Sequence, residues 1–400
     1  MNILYYCDEY PPARNGGIGT VVKLVAEAMS QRGHNVIVAG RYWNGAGRET
    51  IERINGVTVI RWHKGSYNSI IMWFLTLFHS DKNKQRKAQL IFSKTQGLLE
   101  KVTRKYSVDI VETPDYVDDF MHQNGLNTPK WRSNVPKVIR VHGSVSFLYH
   151  YLRGRPDANK VRQDRDFFNQ ADAICAVSSF SREYVTKFLC EGQSVDVIYN
   201  PIEEHWFKQF AEEKESQTIL YFGKIARMKG VFSLIKAFNL IAADYPSIKL
   251  KLIGNGNPKH VKELVEPCFT DRVVFAGFMP QEQIIKEIDN ALFCILPSYF
   301  ENFSMAALEV LARNKALIYT NRASGQELIK DGENGLLVNP DDVEQIARNM
   351  RLLLTDEELR SRMAERGNEM CRRRFSTETI IPQMESYYEE VIERCKGLID

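Results

Sequence analysis

The 400-residue chain has little of what marks a disulfide scaffold, a metal site or a membrane span. Its seven cysteines, at positions 7, 175, 190, 268, 294, 371 and 395, are odd in number and scattered. None forms a CxxC pair or joins a Cys/His cluster, so neither a disulfide framework nor a zinc site is indicated. Cys7, Cys175 and Cys294 lie in apolar runs and read as small core residues. An excess of one charge is also missing. The 53 basic and 50 acidic residues leave a net charge of +3, too balanced for wholesale nucleic-acid binding. The longest apolar run, Ile70-Ile71-Met72-Trp73-Phe74-Leu75, falls far short of the ~20 residues that cross a bilayer. Met1-Asn2-Ile3-Leu4 opens directly into a strand pattern, without a charged n-region or a cleavable apolar segment, and a cytoplasmic location is expected.

What is present alternates. Apolar β-type runs at Ile3–Cys7, Val36–Ala39, Val57–Arg61, Asp109–Glu112, Val138–Val141, Ala173–Val177 and Val195–Ile198 are interleaved with helical stretches, the first from about Thr20 to Arg32. That is the pattern of βαβ units and a parallel sheet. The charged stretch Asn200 to Thr218 reads as a linker. A second series follows, with strands at Ile219–Gly223, Lys249–Ile253, Val273–Phe278, Leu292–Leu296, Ala316–Thr320 and Leu336–Val338. Between the first two, Leu234, Ile235, Phe238 and Ile241 form one apolar helical stripe. The expected fold class is α/β with two Rossmann-like domains, 1–199 and 200–375, facing a central cleft. A C-terminal helix, 376–400, is expected to cross back to the first. Ligands of such sheets bind beyond the carboxyl ends of the strands.

The residues just after strands are therefore the ones to read. Gly16, Gly17 and Gly19 stand between the first strand and first helix, where glycine lets backbone approach a phosphate or sugar. Taken alone they fit a tight turn equally well, and they do not match GxGxxG. Lys224, Arg227 and Lys229 crowd into six residues after a buried strand. Like charges so close call for an anion, and a diphosphate fits, although a solvated turn is the plainer alternative. In "ENFSMAALE", the helix after Phe303 begins with free N–H groups and a positive dipole end. A diphosphate would rest on the amides of Asn302, Phe303, Ser304 and Met305. Glu309 follows roughly 6–9 Å along at ~1.5 Å per residue, the reach from a pyrophosphate to its ribose. Glu301 would stand on the other side, beside the sugar. By spacing alone, Glu309 is also what a solvated helix acid looks like, and Glu301 a charge complementing the dipole. Asp331-Gly332-Glu333-Asn334-Gly335 reads as structural, with Gly and Asn supplying positive φ angles.

Together these segments resemble retaining GT-B glycosyltransferases of family 4. "ENFSMAALE" is similar to that family's E-x7-E signature, "FGKIARMKG" to its G-R-x-x-x-x-K-G segment and "ELIKDGENGLLV" to its E-x-I-x-D-G-x-N-G-x-L-V stretch. "VHGS", "AVSSFSREYV" and "GGIGT" fit the first domain. The resemblance covers nearly the whole chain and is more specific in the second half. It implies a nucleotide-sugar donor held mainly by the second domain, with Lys229 on the diphosphate and Glu309 on the ribose. Glu301 would contact the donor sugar and His142, after Val138–Val141, would lie near the transferred sugar. A lone histidine there is otherwise a packed core residue. Lys224 stands where the family usually has arginine, keeping the charge but not the bidentate fork, with Arg227 beside it. Asn314-Lys315-Ala316 departs from the family's Gly-x-Pro.

The implied reaction is retaining transfer from a nucleotide sugar, a UDP-sugar first and GDP-mannose second, to a glycan or lipid-linked saccharide hydroxyl, in surface polysaccharide biosynthesis. No cofactor and no obligatory metal are expected, since no DxD motif ends a strand and Asp118-Asp119 falls in a loop. Base contacts are expected from backbone near Gly254 and Gly277. The alternatives are a non-hydrolysing nucleotide-sugar epimerase and a non-catalytic nucleotide-sugar-binding protein. Residues 79 to 105 carry eight Lys/Arg against two acids after the apolar "IIMWFLTLF". That pairing suits peripheral contact with an anionic inner membrane face, or else a core segment beside a solvated basic face. Nucleic acid is not an expected partner, because that basic cluster lacks interleaved aromatics.

Overall fold

The computed structural model describes residues 1–12, 16–42, 48–63, 81–116, 132–155, 157–208 and 217–397. The chain divides into two compact units, Met1–Pro201 with Ile380–Asp400, and Ile202–Thr379.

Among the described residues the first unit holds eight strands: β1 (Asn2–Tyr6), β2 (Asn35–Tyr42), β3 (Thr50–Ile54), β4 (Val57–His63), β5 (Ile110–Pro114), β6 (Lys137–Val141), β7 (Ala173–Ala176) and β8 (Asp196–Val197). Their order is β3-β4-β2-β1-β5-β6-β7-β8. Every neighbouring pair is parallel except β3–β4. Ile3, Leu4, Val36, Ile37 and Ile139 are all sealed from solvent, as expected of parallel strands covered on both faces. The sequence pattern passes over β3, because Ile51, Glu52 and Arg53 are exposed on an edge and show no buried face. The missed signal is Asn55-Gly56. Their φ angles of 48° and 83° make the two-residue hairpin that joins β3 to β4.

The second unit holds β9 (Thr218–Phe222), β10 (Lys249–Ile253), β11 (Val273–Gly277), β12 (Phe293–Leu296), β13 (Leu317–Thr320) and β14 (Leu336–Val338). All are parallel, in the order β11-β10-β9-β12-β13-β14. This is a doubly wound sheet whose order reverses between β9 and β12. Leu234, Ile235, Phe238 and Ile241, on the helix Val231–Ala242, are fully buried. Buried Arg313 forms a fork on Asp289, its Nε 2.7 Å from Oδ1 and its Nη2 2.6 Å from Oδ2, and also donates to the Trp206 carbonyl at 3.1 Å. It thereby ties the end of the helix Met305–Ala312 to the helix Gln281–Asn290 and to the chain entering this unit.

Two of the expected elements are corrected. The first helix runs Gly17–Gln31, so Gly17 and Gly19 lie inside it and Gly16 is its N-cap. A Cβ on Gly19 would stand 1.9 Å from the Glu9 carbonyl, and only glycine lets the helix start that close. In the turn before β14, Gly332 takes positive φ (75°) but Asn334 does not. The Asn334 side chain works by hydrogen bonds instead, accepting from Lys330 N at 2.7 Å and donating to the Leu328 carbonyl at 3.1 Å.

The chain closes with two helices, Glu357–Phe375 and Thr377–Lys396, broken at extended Ser376. From Ile380 the second belongs to the first unit. Tyr388 Oη donates to Glu112 Oε2 at 2.6 Å and lies 3.4 Å from Tyr5 Oη. Burial pushes the Glu112 carboxyl up, while the Arg140 charge and the Tyr388 bond pull it back. At the surface Glu385 accepts from Arg32 Nε and meets His34 Nε2, both at 2.7 Å. Tyr388→Phe leaves a buried carboxylate without its hydroxyl donor. It is expected to lower unfolding stability by about 1–3 kcal/mol in urea titrations. Tyr5→Phe, removing only a long contact, should cost less.

Candidate functional site

Loops leaving β9 and β12 emerge side by side where the strand order reverses, and the adjoining connections diverge from there. The chain after β9 turns at Gly223 (φ 143°) and passes through the short 3-10 turn Arg227–Lys229 to Gly230 (φ 72°). A Cβ on Gly230 would lie 1.8 Å from the Pro297 carbonyl, so the two loops touch backbone to backbone only because this residue is glycine. Tyr299 N donates to the Met228 carbonyl at 2.8 Å and closes the contact.

This closure brings together side chains 72 positions apart: Lys229 Nζ is 2.6 Å from Glu301 Oε1. The same oxygen accepts from Ser298 Oγ at 2.8 Å, and the Glu301 carbonyl accepts from Ser324 Oγ at 3.0 Å. Lys224 and Arg227 are exposed and have no ion-pair partner among the described residues. Of the three cations on this loop, Lys229 is paired and, among the described residues, Lys224 and Arg227 are not.

Beyond Glu301 the chain buries Asn302, Phe303 and Ser304, then enters the helix Met305–Ala312. Ser304 Oγ accepts the Ala307 amide at 3.3 Å. The first two helical amides, of Met305 and Ala306, lie outside that cap. Phe303 belongs to the core, its ring edge-on to Phe375 at 5.4 Å. Glu309 is half-buried and has neither a hydrogen-bond nor an ion-pair partner among the described residues. Burial, and then the neighbouring Glu203 carboxylate, push its carboxyl up to about 7. A carboxylate in such surroundings is costly unless something arrives to bind it.

Gly254 and Gly277 sit at the exits of β10 and β11. Gly254 N donates to the Gly277 carbonyl at 2.8 Å. A Cβ on Gly254 would lie 1.9 Å from the Gly223 carbonyl, so it packs the strand exits together, whereas space beside Gly277 is open. Phe278, next along, is 70% exposed.

The first unit holds the remaining candidates. Gly16 caps the first helix without a side chain, and the space beside Gly17 is open. His142 follows β6. Its Nε2 is buried without a hydrogen-bond partner, and burial together with the Arg140 charge lowers its pKa to about 3. The imidazole is therefore neutral at ordinary pH.

Three further residues of these sites escaped the sequence reading: Ser298, Glu203 and Asp115. Ser298 and Glu203 act through neighbours and show no pattern of their own. Asp115 stands directly after β5, the position that should have drawn attention to it. Among the described residues no group of three or more His, Cys, Asp or Glu is placed to hold a metal ion. Asp118-Asp119, Ile70–Phe78 and the side chains of Lys82, Lys84 and Lys87 lie outside the described residues. The helix Asp81–Lys105 exposes Arg86 and Leu90. No helix among the described residues is long and apolar enough to cross a membrane.

Comparison with known proteins agrees with this arrangement. Residues 15–206 match the family model described as Glycosyltransferase Family 4, and residues 202–370 the one described as Glycosyl transferases group 1. An uncharacterized glycosyltransferase of Methanocaldococcus jannaschii is 24% identical, over 98% of this chain and 99% of its own length. Among solved structures, sucrose-phosphate synthase from Thermosynechococcus elongatus superposes with a TM-score of 0.78 at 20% identity, covering 98% of this chain and 99% of that one. Anabaena HepE in complex with UDP-glucose gives 0.69 at 17% identity, covering 98% and 100%.

The Glu309 carboxyl carries a prediction by linkage. Its folded pKa is raised from 4.5 to about 7, so the stability it affects is fully present below pH 4.5 and lost as pH rises through 7. Glu309→Gln should raise the unfolding midpoint most above pH 7. The gain should fade toward pH 4.5, as thermal melts across that range will read.

Proposed function

Because this chain belongs to the glycosyltransferases of group 1 and family 4 and has their GT-B fold, we propose that it takes a sugar from a nucleotide-sugar donor. The acceptor is a hydroxyl of a glycan or lipid-linked saccharide, in surface polysaccharide biosynthesis. One observation carries this reading. The Lys229–Glu301 pair and the exposed cations Lys224 and Arg227 sit on the two loops leaving β9 and β12, and Glu309, which has no hydrogen-bond or ion-pair partner among the described residues, sits on the helix Met305–Ala312 that follows the second loop.

On this reading the diphosphate lies over the Met305 and Ala306 amides and is neutralised by Lys229, Lys224 and Arg227, without an obligatory metal. Glu309 accepts the ribose hydroxyls. Glu301, oriented by Ser298, stands at the junction of phosphate and sugar and contacts the sugar. The charge that grows on the departing diphosphate meets donors already in place, so stabilisation is greater in the transition state than in the ground state. The neutral His142 offers the transferred sugar a hydrogen-bonding ring rather than a cation. We assign retention of configuration to same-face attack, the acceptor proton passing to the departing phosphate. A UDP-sugar is the favoured donor, a choice supported by the UDP-glucose complex of HepE, with GDP-mannose second.

A panel of nucleotide sugars, scored for nucleoside diphosphate release with glycan and lipid-linked acceptors, tests the assignment. Lys229→Ala and Glu309→Ala should each weaken donor binding by about tenfold or more, the scale of one charge-assisted contact. His142→Ala should mainly slow transfer. The product anomer should match the donor by NMR, and an inverted anomer would remove the same-face route. Donor consumed without acceptor and without diphosphate release would mark an epimerase. Tight binding with no turnover would mark a binding protein. Since the ionised Glu309 is the acceptor of the ribose hydroxyls, nucleotide affinity should fall as pH drops below about 7.

Peripheral membrane contact through residues 70–105 is a separate expectation. Co-sedimentation with anionic liposomes should weaken when Lys82, Lys84, Arg86 and Lys87 are neutralised together.

A further inference from the structure

We propose that Asp115 is a positioning residue that fixes the imidazole of His142, with Asp164 holding the same turn further along. The proposal rests on the glycosyl-transfer reading of His142.

Asp115 follows β5 and is wholly buried. Its Oδ1 accepts the His142 amide at 2.8 Å and the Gly143 amide at 3.2 Å, while Oδ2 accepts the Gly143 amide at 3.0 Å. Its own amide donates to the Arg140 carbonyl at 2.9 Å, so the carboxylate is registered against the strand that leads to His142. Gly143 has φ of 135°, a conformation that L side chains rarely adopt, which lets two successive amides face one carboxyl. Ser144 Oγ then accepts from Phe147 N at 3.4 Å, and buried Asp164 Oδ2 accepts from Ser146 N at 2.8 Å. The amides of residues 142, 143, 146 and 147 are thus all held by side-chain oxygens of neighbouring buried groups.

No lysine or arginine pairs with Asp115 among the described residues. A strand end that needed only burial would carry an apolar residue there, since a buried carboxyl is tolerated only through the hydrogen bonds it accepts. His142 Nε2, meanwhile, is buried and has no hydrogen-bond partner among the described residues. With no anchor on that nitrogen, the aim of the ring is set by the backbone that Asp115 grips.

The test compares Asp115→Asn, Asp164→Asn, His142→Ala and the Asp115→Asn/His142→Ala double variant in the full chain. Asp115→Asn should lower kcat by about 10- to 100-fold, the scale of a small misplacement at a reacting centre. Nucleoside diphosphate affinity should be unchanged, and no further loss should appear in the His142→Ala background. Deuterium exchange at the His142 and Gly143 amides should quicken in Asp115→Asn. In Asp164→Asn the faster exchange should be confined to Ser146, with a smaller loss of kcat. Equal losses with and without His142, or nucleotide affinity falling in step with kcat, would mean a merely structural acid and overturn the proposal. Unchanged exchange at both amides would overturn the clamp itself. Should Asp115→Asn fail to bind nucleotide at all, the same cycle with Asp164→Asn decides. If the wild-type chain releases diphosphate from no donor, the transfer reading fails, while the exchange experiment still reports on the clamp.

Discussion

The contact between Lys229 and Glu301 is the constraint on which the second unit's site depends. It exists because β9 and β12 are neighbours in space but far apart in sequence, and because Gly230 lets their loops meet at the Pro297 carbonyl. Three cations within six residues would otherwise repel one another at a strand end. Glu301 offsets one of them and is itself pinned by Ser298 and, through its carbonyl, by Ser324. The pair therefore holds one cation and one carboxylate of the two loops in fixed register.

Burial raises an acid in each unit, Asp115 and Glu309, and the two differ in the hydrogen bonds they accept. In the first, Asp115 accepts the His142 and Gly143 amides, Asp164 accepts the Ser146 amide, and His142 is held neutral. In the second, Lys224 and Arg227 have no ion-pair partner among the described residues, and Glu309 is pushed up to about 7 by burial and by Glu203. An ionised carboxylate in surroundings that raise its pKa lowers the stability of the free chain.

Most of the fold was legible because parallel strands covered on both faces are written as unbroken apolar runs, such as Ile219-Leu220-Tyr221-Phe222 and Phe293-Cys294-Ile295-Leu296. The helix stripe Leu234, Ile235, Phe238 and Ile241 was legible by its period. What escaped had its signal elsewhere. β3 is an edge strand with three exposed residues, and only the Asn55-Gly56 turn betrays it. Asn334 acts through its amide rather than through φ. In the site, charge-bearing residues on the two loops could be read from type and spacing, and the family resemblance sharpened their roles. Asp115 offered only its place directly after β5. Its partners are main-chain amides 27 positions ahead, and a backbone donor leaves no trace in residue identity.

The returning C-terminal helix bears on His142 as well as on the fold. Arg140 is the penultimate residue of β6, two before His142, and is fully buried with its guanidinium donating to the Ile198 and Tyr199 carbonyls. Its positive charge is one of the two causes that keep the imidazole neutral. That charge is balanced in turn by Glu112 on the adjacent strand, and Glu112 accepts from Tyr388 of the returning helix. The hydroxyl bond favours the ionised Glu112, and an ionised Glu112 tempers the field that Arg140 projects toward His142. A tail helix that looks like a fastening for the sheet is therefore also part of the electrostatics of the histidine. The returning helix and His142 are linked through one run of buried polar groups, of which Glu112 and Arg140 carry the charge: Tyr388, Glu112, Arg140, His142.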